Sequence, residues 1–336
     1  MTENPQKQGI VVVLQHESKI LKNNSLGDAH IRDLHVYLPP DYDETRKYPT
    51  VYCLTGFTGR GKMFLNDSAF TPNLAQRLDK LMGDGTIKPM IAVLPDCFTR
   101  YGGSQYINST ATGDYEDYLT KEIVPFVDEN FHTINDKNFR AVMGKSSGGY
   151  GALVMAMRHA DQFGLICSTA GDAYFEFAYF PGIAEGFHSI KGDAQALIEK
   201  FWREDVRKSK DDFAALNTIG MSACYSPNET SELGFDLPFD TETGEIRADV
   251  WQRWLAHDPV RLVEKSVEKL KTLKLLYIDA GTCDEFHLDL GARILCRRLK
   301  DFDVPHIHEE FDDGHFNIAY RQNRSLALIS QHFHDE

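Results

Sequence analysis

The stretch MGKSSGGYGAL, residues 143–153, decides between two folds. Its letters GKS resemble the end of a phosphate-binding loop, whereas GKSSG fits the G-x-S-x-G pattern of serine hydrolases. The phosphate-binding loop requires a glycine five positions before Gly144, and Phe139 stands there. The intervening letters belong to the run NFRAVM, which is typical of a buried strand and not of a flexible loop. The phosphate-binding loop is therefore excluded.

The hydrolase interpretation requires a strand, a tight turn that holds a strained nucleophile, and then a helix. Residues 138–143 supply the strand, and residues 150–160 are rich in helix formers. Gly144 and Gly148 leave space where Cβ atoms would collide. Ser146 is then predicted at the turn with its hydroxyl exposed. A glycine-rich turn without a catalytic role has the same pattern, so the motif alone does not decide the function.

Across the chain, short apolar segments alternate with amphipathic ones, which indicates an α/β protein. We expect a mostly parallel central sheet with helices on both faces. Strands are predicted at residues 10–18, 30–39, 49–56, 89–96, 138–143, 163–171, 273–281 and 306–313, of which the first two form an antiparallel pair. Helices are predicted around residues 64–82, 114–131, 150–160 and 290–300, and from residue 317 onward. Pro125 should kink or split the second helix.

The alternation fails between about residues 172 and 259, a segment called the insertion below. A structureless loop of this length is improbable in a compact domain, so the sequence predicts a cap or lid within one domain, residues 1–336. The aromatic run 174–180 lies in the insertion, as do the tryptophans Trp202, Trp251 and Trp254. These rings either line a substrate pocket or pack on one another, and the sequence leaves both open.

A nucleophilic serine needs a base and an acid, which in an α/β-hydrolase follow later strands in the order acid, then histidine. Asp284 comes shortly after the predicted strand 273–281, and His315 comes shortly after the strand 306–313. Because the carboxyl ends of parallel strands lie at one edge of a sheet, both side chains should meet Ser146 there. We predict that these three residues are catalytic.

Other residues compete for the two roles. Asp279 lies within the apolar strand, Glu285 should point elsewhere on the turn, and Asp284 could instead cap the helix that follows it. His306 and His308 have a spacing that can bind metal, but no third ligand accompanies them. We therefore interpret them as ordinary strand histidines and predict no metal site.

The oxyanion of a tetrahedral intermediate needs two N–H donors. The residue after the nucleophile, Ser147, should supply one. The loop LTGFTG, residues 54–59, follows a predicted strand and should supply the other from Phe57. As an alternative, this loop is an ordinary glycine turn. None of these groups requires a cofactor, and we predict none.

Three segments, HVYLPPDYDETRKYPTVYCLTG (35–56), YEDYLTKEIVPFVDENF (115–131) and MGKSSGGYGALVMAMRHADQF (143–163), together resemble the Putative esterase family of α/β-hydrolases. This family includes esterase D (S-formylglutathione hydrolase), enterochelin esterase-like enzymes, feruloyl esterases and mycolyltransferases. The resemblance covers most of residues 30–172 and resumes from about 273 to 320. It implies an α/β-hydrolase fold and ester hydrolysis.

Within this resemblance, IDAGTCDEF is similar to the esterase D segment that carries the acid, which supports Asp284. The chain departs from esterase D at the loop LTGFTG, where that group resembles LSGLTC, and at Lys145, where it has histidine. Both departures argue against a glutathione thioester substrate. Lys145 is either a solvated neighbour of the nucleophile or a contact for an anionic substrate group.

The formal net charge of −14 on 336 residues disfavours nucleic acid and anionic membranes as partners. The N-terminal sequence lacks the pattern of a secretory signal, and no stretch is long and apolar enough to span a bilayer. Six scattered cysteines suggest reduced, mostly buried thiols and a cytoplasmic location. We expect a small-molecule or sugar-linked ester as substrate, and the sequence leaves a homo-oligomer open.

The sequence as a whole predicts a serine carboxylesterase. An acyltransferase with the same three residues and an S-formylglutathione-type thioesterase remain alternatives. A non-catalytic binding protein on a hydrolase fold is a third, from a different class.

Overall fold

The computed structural model describes residues 7–190 and 192–334 of the chain. The strands are β1 (Ile10–Glu17), β2 (Ile31–Leu38), β3 (Thr50–Leu54), β4 (Ile91–Leu94), β5 (Asn108–Ser109), β6 (Gly113–Asp114), β7 (Arg140–Lys145), β8 (Leu165–Thr169), β9 (Leu275–Gly281) and β10 (Ile307–Phe311). Eight of them form one sheet in the order β1-β2-β4-β3-β7-β8-β9-β10, and β5 pairs with β6 alone. The pairs β1–β2 and β2–β4 are antiparallel, and the other neighbours in the large sheet are parallel.

The helices lie between and after these strands. They are α1 (Leu74–Gly83), α2 (Tyr115–Asp117), α3 (Val124–Asn130), α4 (Ser147–Arg158), α5 (Phe175–Ala178), α6 (Phe180–Ile190), α7 (Ala194–Trp202), α8 (Lys210–Tyr225), α9 (Ala248–Leu255), α10 (Pro259–Leu270), α11 (Leu288–Asp301) and α12 (Arg321–His334). Short 3₁₀ turns occupy Gly61–Leu65 and Lys137–Phe139, and a π-helical turn occupies Tyr118–Ile123. The predicted α/β-hydrolase fold is confirmed.

The central strands are apolar along their whole length because both faces of the sheet are covered. Successive strand residues point to opposite faces, and β7 shows the consequence. Ala141 and Met143 pack in the core that contains α1 and α12 side chains. Val142, between them, packs in the larger core with α3, α4 and α8 to α11. Helices therefore bury each face of the sheet, as the sequence predicts.

Two helices begin later than predicted, for local reasons. The predicted helix at 64–82 is only a 3₁₀ turn at its start, and α1 begins after Asn73. Asn73 and Gln76 cap this helix reciprocally, since each side chain accepts the other's backbone N–H, at 3.0 and 2.8 Å. The last helix starts at Arg321 and not at 317, because Asn317 has a φ of 60°, outside helical geometry.

The predicted helix over 114–131 is interrupted, as expected from Pro125, but in a specific way. A π-helical turn, Tyr118–Ile123, separates α2 from α3, and Pro125 lies in the first turn of α3. Proline has no N–H to donate and its ring crowds the carbonyl four residues earlier. A wider turn just before it accommodates both effects. The segment therefore splits instead of kinking at one residue.

Helices α5 to α9 lie within the insertion. Three of its aromatic side chains, Tyr179, Tyr225 and Trp254, are buried and pack on one another with ring centroids 5.7 to 5.9 Å apart. Trp202 does not belong to this buried group, because 48% of its surface is exposed. Part of the aromatic content thus forms a core inside the insertion, which was one of the two interpretations left open by the sequence.

The carboxylate of Glu309 on β10 joins the edge of the sheet to α12, and it gives a test of stability. Arg324 and Arg321 donate to it, and so does the Tyr277 hydroxyl at 2.9 Å. The hydrogen bond from Arg324 leads the interactions that lower the pKa of Glu309 to about 2. The folded pKa thus lies below the unfolded value of about 4.3, so the stabilisation is present above that value and is lost as pH falls towards 2.

We expect Glu309→Gln to lower the free energy of unfolding at pH 7 by about 1 kcal/mol, since the site is partly solvated. The gap between wild type and variant should narrow as pH falls below about 4, where the unfolded chain takes up the proton. Urea unfolding at pH 7 and near pH 3 measures both. Equal stability at pH 7 would contradict this account of the β10–α12 contact.

Candidate active site

Ser146 occupies a strained turn between β7 and α4. Its φ and ψ are 58° and −127°, a region that residues with a Cβ rarely adopt. The flanking glycines make the turn feasible. A Cβ on Gly144 would lie 2.2 Å from the Gly148 carbonyl oxygen, and one on Gly148 would lie 2.1 Å from the Leu54 carbonyl oxygen. The predicted need for glycine at both positions is confirmed.

The structure brings Ser146, His315 and Asp284 together at one edge of the sheet. His315 Nε2 lies 3.1 Å from Ser146 Oγ, and His315 Nδ1 lies 2.8 Å from Asp284 Oδ2. Ser146, Asp284 and His315 follow β7, β9 and β10 respectively, which all belong to the parallel part of the sheet. The histidine and aspartate are buried, with 3% and 4% of their surfaces exposed. A continuous hydrogen-bonded chain thus runs from carboxylate through imidazole to hydroxyl.

Asp284 serves the histidine and the start of α11 at the same time. While Oδ2 faces the imidazole, Oδ1 accepts the N–H groups of Phe286 at 2.9 Å and Leu288 at 3.4 Å. Burial raises the pKa of this carboxyl, but the hydrogen bond and charge of His315 and the two N–H groups outweigh burial and hold the pKa below its ordinary value. Asp284 therefore stays ionised beside the imidazole, and the helix-capping alternative is compatible with that position.

The competing acids have other partners. Asp279 is buried in β9, where Oδ2 accepts Arg321 Nε–H at 2.8 Å and lies 2.9 Å from the Tyr277 hydroxyl oxygen. Glu285 does not face the imidazole ring, but it accepts the backbone N–H of His315 at 2.6 Å. Glu285 therefore orients the histidine through its main chain, a contact for which the sequence carries no signal.

The two histidines with metal-like spacing do not share a strand. His306 precedes β10, and its Nδ1–H donates to the Val304 carbonyl at 2.8 Å, whereas His308 lies within β10. The expectation that both stand on one strand face is therefore wrong for His306. Among residues 7–190 and 192–334, no group of three or more histidine, cysteine, aspartate or glutamate side chains could hold a metal ion.

Two backbone N–H groups next to Ser146 are without an acceptor in the described part of the chain. Ser147 is the first residue of α4, so its N–H has no partner within the helix. The N–H of Phe57 belongs to the loop after β3. This loop abuts Ser146, since a Cβ on Gly56 would lie 4.0 Å from Ser146 Oγ. Next to Phe57, the Thr58 N–H is already bonded to the Gly102 carbonyl at 2.6 Å.

A second buried carboxylate, Asp172, lies behind this turn and was not singled out from the sequence. Its Oδ2 accepts the Tyr179 hydroxyl at 2.7 Å, Gln105 Nε2–H at 3.1 Å and the Ser147 hydroxyl at 3.5 Å. Burial raises the pKa of Asp172. Because Tyr179 belongs to the insertion, this carboxylate links the insertion to the turn at Ser146. Only its position at the end of the predicted strand 163–171 could have drawn attention to it.

Comparisons with known proteins find related sequences and a related fold. The profile of the family described as Putative esterase matches residues 29–312, more than half of the chain. The Uncharacterized protein YbbA of Bacillus subtilis (strain 168) is 27% identical over 56% of this chain and 78% of its own length. The S-formylglutathione hydrolase of Arabidopsis thaliana is 27% identical over 40% of this chain and 50% of its own length. A solved structure titled ferulic acid esterase aligns with a TM-score of 0.63 at 18% identity, over 97% of this chain and 99% of that one.

The matches differ in how much of each relative the chain covers. The chain spans only 14% to 57% of several other curated relatives, which include xylanases and a second S-formylglutathione hydrolase. The solved structure, at its low identity, supports the fold alone. In the described part of the chain, no helix has the length and apolar character needed to cross a membrane. The predicted cytoplasmic location stays a prediction.

Proposed function

We propose that this chain, which belongs to the Putative esterase family, is a carboxylic ester hydrolase. In the proposed mechanism, Ser146, His315 and Asp284 form a catalytic triad, and the reaction passes through an acyl-enzyme. The observation that carries the proposal is the position of His315, whose two ring nitrogens contact the serine hydroxyl and the aspartate at 3.1 and 2.8 Å. One imidazole in that position can accept the serine proton while the carboxylate stabilises its positive charge.

In the proposed first step, Ser146 Oγ attacks the ester carbonyl carbon and transfers its proton to His315 Nε2. Asp284, ionised and bonded to Nδ1–H, holds the ring in the tautomer that leaves Nε2 free to accept. The carbonyl oxygen becomes an oxyanion, which the N–H groups of Phe57 and Ser147 stabilise. Since neither N–H has another acceptor in the described residues, both are available without rearrangement.

The intermediate then collapses. His315 Nε2 returns its proton to the leaving alcohol oxygen, and the acyl group remains on Ser146 Oγ as an ester. Water then attacks this acyl-enzyme with His315 again as the base. A second tetrahedral intermediate uses the same two N–H groups, and its collapse releases the acid and restores the serine. No step requires a metal or an organic cofactor.

The substrate proposed here is a small-molecule or sugar-linked ester. Relatives named S-formylglutathione hydrolase and feruloyl esterase support an ester or thioester carbonyl as the reacting group. We also propose that the insertion, residues 172–259, forms a cap within one α/β-hydrolase domain. Its placement between β8 and α10, and the hydrogen bond at 3.5 Å from the Ser147 hydroxyl to its first residue, Asp172, support this arrangement.

A fluorophosphonate probe tests the proposal directly, because it reacts with serines activated by a neighbouring base. We expect one equivalent of probe on Ser146, located by peptide mass spectrometry. Ser147→Ala is the matched control, since it removes the adjacent hydroxyl and keeps the backbone N–H, and this variant should still be labelled at Ser146. Absence of labelling in the folded wild type, or labelling confined to another residue, would contradict the proposed nucleophile.

A further inference from the structure

Lys145, the residue before the nucleophile, places a partly buried ammonium group beside the site. Burial lowers its pKa, and nearby carboxylates offset this effect only in part. In the described part of the chain, Nζ has no hydrogen-bond acceptor or ion-pair partner. It lies over the Phe316 ring, whose centroid is 5.5 Å away. A partly desolvated cation without a counterion is unfavourable unless a ligand supplies one.

The carboxylates near Lys145 are already satisfied by other donors. They are Asp284, Asp172 and Glu285. The first accepts from the His315 ring, the second from Tyr179 and Gln105, and the third from the His315 backbone N–H. None of them comes within ion-pair distance of Nζ. The ammonium therefore remains available to an anionic group on a bound substrate.

Lys145 contacts Phe316, whose ring lies beside the imidazole that would protonate the leaving alcohol. The leaving alcohol takes its proton from His315 Nε2, so it has to pass beside that ring. Two aromatic rings flank the imidazole there, Phe286 at 4.8 Å and Phe316 at 5.4 Å between centroids. Of these side chains, 45% and 54% respectively are exposed. An exposed aromatic pair next to a cation favours a group that is flat and apolar and also carries negative charge.

We propose that the preferred alcohol is an aromatic ring bearing a carboxylate, with the ring against Phe286 and Phe316 and the carboxylate against Lys145 Nζ. This inference rests on the proposed function, because it takes its orientation from the role of His315. It makes Lys145 a specificity-determining residue and leaves the acyl group undefined. A neutral alcohol of the same shape would still react, but it would leave the ammonium without its counterion.

Two acetyl esters of nearly the same shape and different charge test this proposal, namely 3-acetoxybenzoate and its neutral carboxamide analogue, 3-acetoxybenzamide. We expect wild type to hydrolyse the anionic ester with a kcat/KM about tenfold above that of the neutral one, after subtraction of spontaneous hydrolysis. The ratio should decrease as sodium chloride is raised, because salt screens a partly exposed charge pair. Lys145→Met should bring the ratio close to one, and Lys145→Arg should retain most of it.

Lys271→Met, which removes an exposed lysine at the end of α10, is the control for net charge and should keep the wild-type ratio. A ratio that stays unchanged in Lys145→Met, or a wild type that prefers the neutral ester, overturns the inference. If neither ester reacts while the fluorophosphonate still labels Ser146, the alcohol class is wrong and the proposed function stands. If the labelling fails as well, the proposed function fails first. If Lys145→Met does not fold, the salt dependence of the wild-type kcat/KM ratio tests the inference instead.

Discussion

Ser146→Ala should lower kcat/KM for 4-nitrophenyl acetate by about 10⁵-fold, since removing the nucleophile of a serine hydrolase costs five to six orders of magnitude. The variant keeps the Cβ, so the turn at φ 58° is unchanged and only the reacting oxygen is lost. Release of 4-nitrophenol at saturating enzyme measures the effect. Residual hydrolysis should come only from the oxyanion donors and from substrate positioning.

The fold of this variant has to be checked independently. Its melting temperature should stay within a few degrees of wild type, because the lost Oγ contacts only His315 among the described residues. Ser147→Ala serves again as the matched control and should retain most of the activity, since its N–H is kept. If Ser146→Ala retained more than about one hundredth of wild-type activity, another residue would have to be the nucleophile.

Asp284→Asn should lower kcat by about 10⁴-fold, for a different reason. An amide can still accept the N–H groups of Phe286 and Leu288 through its oxygen, so the turn should keep its shape. Its NH₂ group then faces His315 Nδ1 and favours the tautomer with the proton on Nε2, which cannot accept a proton from Ser146. The positive imidazole would also lose its carboxylate partner.

Glu285, the acid next to Asp284, provides a control for the Asp284→Asn variant. Glu285→Gln keeps an acceptor for the His315 backbone N–H and should reduce kcat far less than Asp284→Asn does. The double variant Ser146→Ala/Asp284→Asn should be little worse than Ser146→Ala alone, because residues that act as a unit are not additive. An Asp284→Asn enzyme within tenfold of wild type would remove the aspartate from the proposed mechanism.

The sequence predicts the fold well where burial leaves a regular pattern. Strands buried on both faces read as continuous apolar runs, and strands β3, β4, β8 and β9 all lie within the predicted ranges, while β7 ends at Lys145, two residues past the predicted end at 143. Ser146 and Asp284 each follow such a strand, and His315 follows the less buried edge strand β10. All three could be located because chain order fixes which edge of the sheet each of them reaches. Helix ends were less predictable, since the left-handed backbone of Asn317 depends on its tertiary surroundings.

Other parts of the site left no trace in the sequence. Glu285 contacts a main-chain N–H 30 residues away, and any acceptor of suitable length in that place would give the same pattern. Asp172 looks like a residue at the end of a strand, because its partners Gln105 and Tyr179 come from segments that show no regular period. The π-helical turn before Pro125 is likewise only one of several distortions by which a helix can accommodate a proline, and the sequence does not specify which one forms.

The carboxylate of Asp172 couples two parts of the molecule that the chain order separates. Its closest donor, the Tyr179 hydroxyl, belongs to the insertion, while the Ser147 hydroxyl belongs to the turn that carries the proposed oxyanion donor. Withdrawing Tyr179 would leave a buried acceptor short of a donor next to the reaction centre. The proposed chemistry at Ser146 therefore also constrains Tyr179 of the insertion, a side chain for which no contact with substrate is proposed.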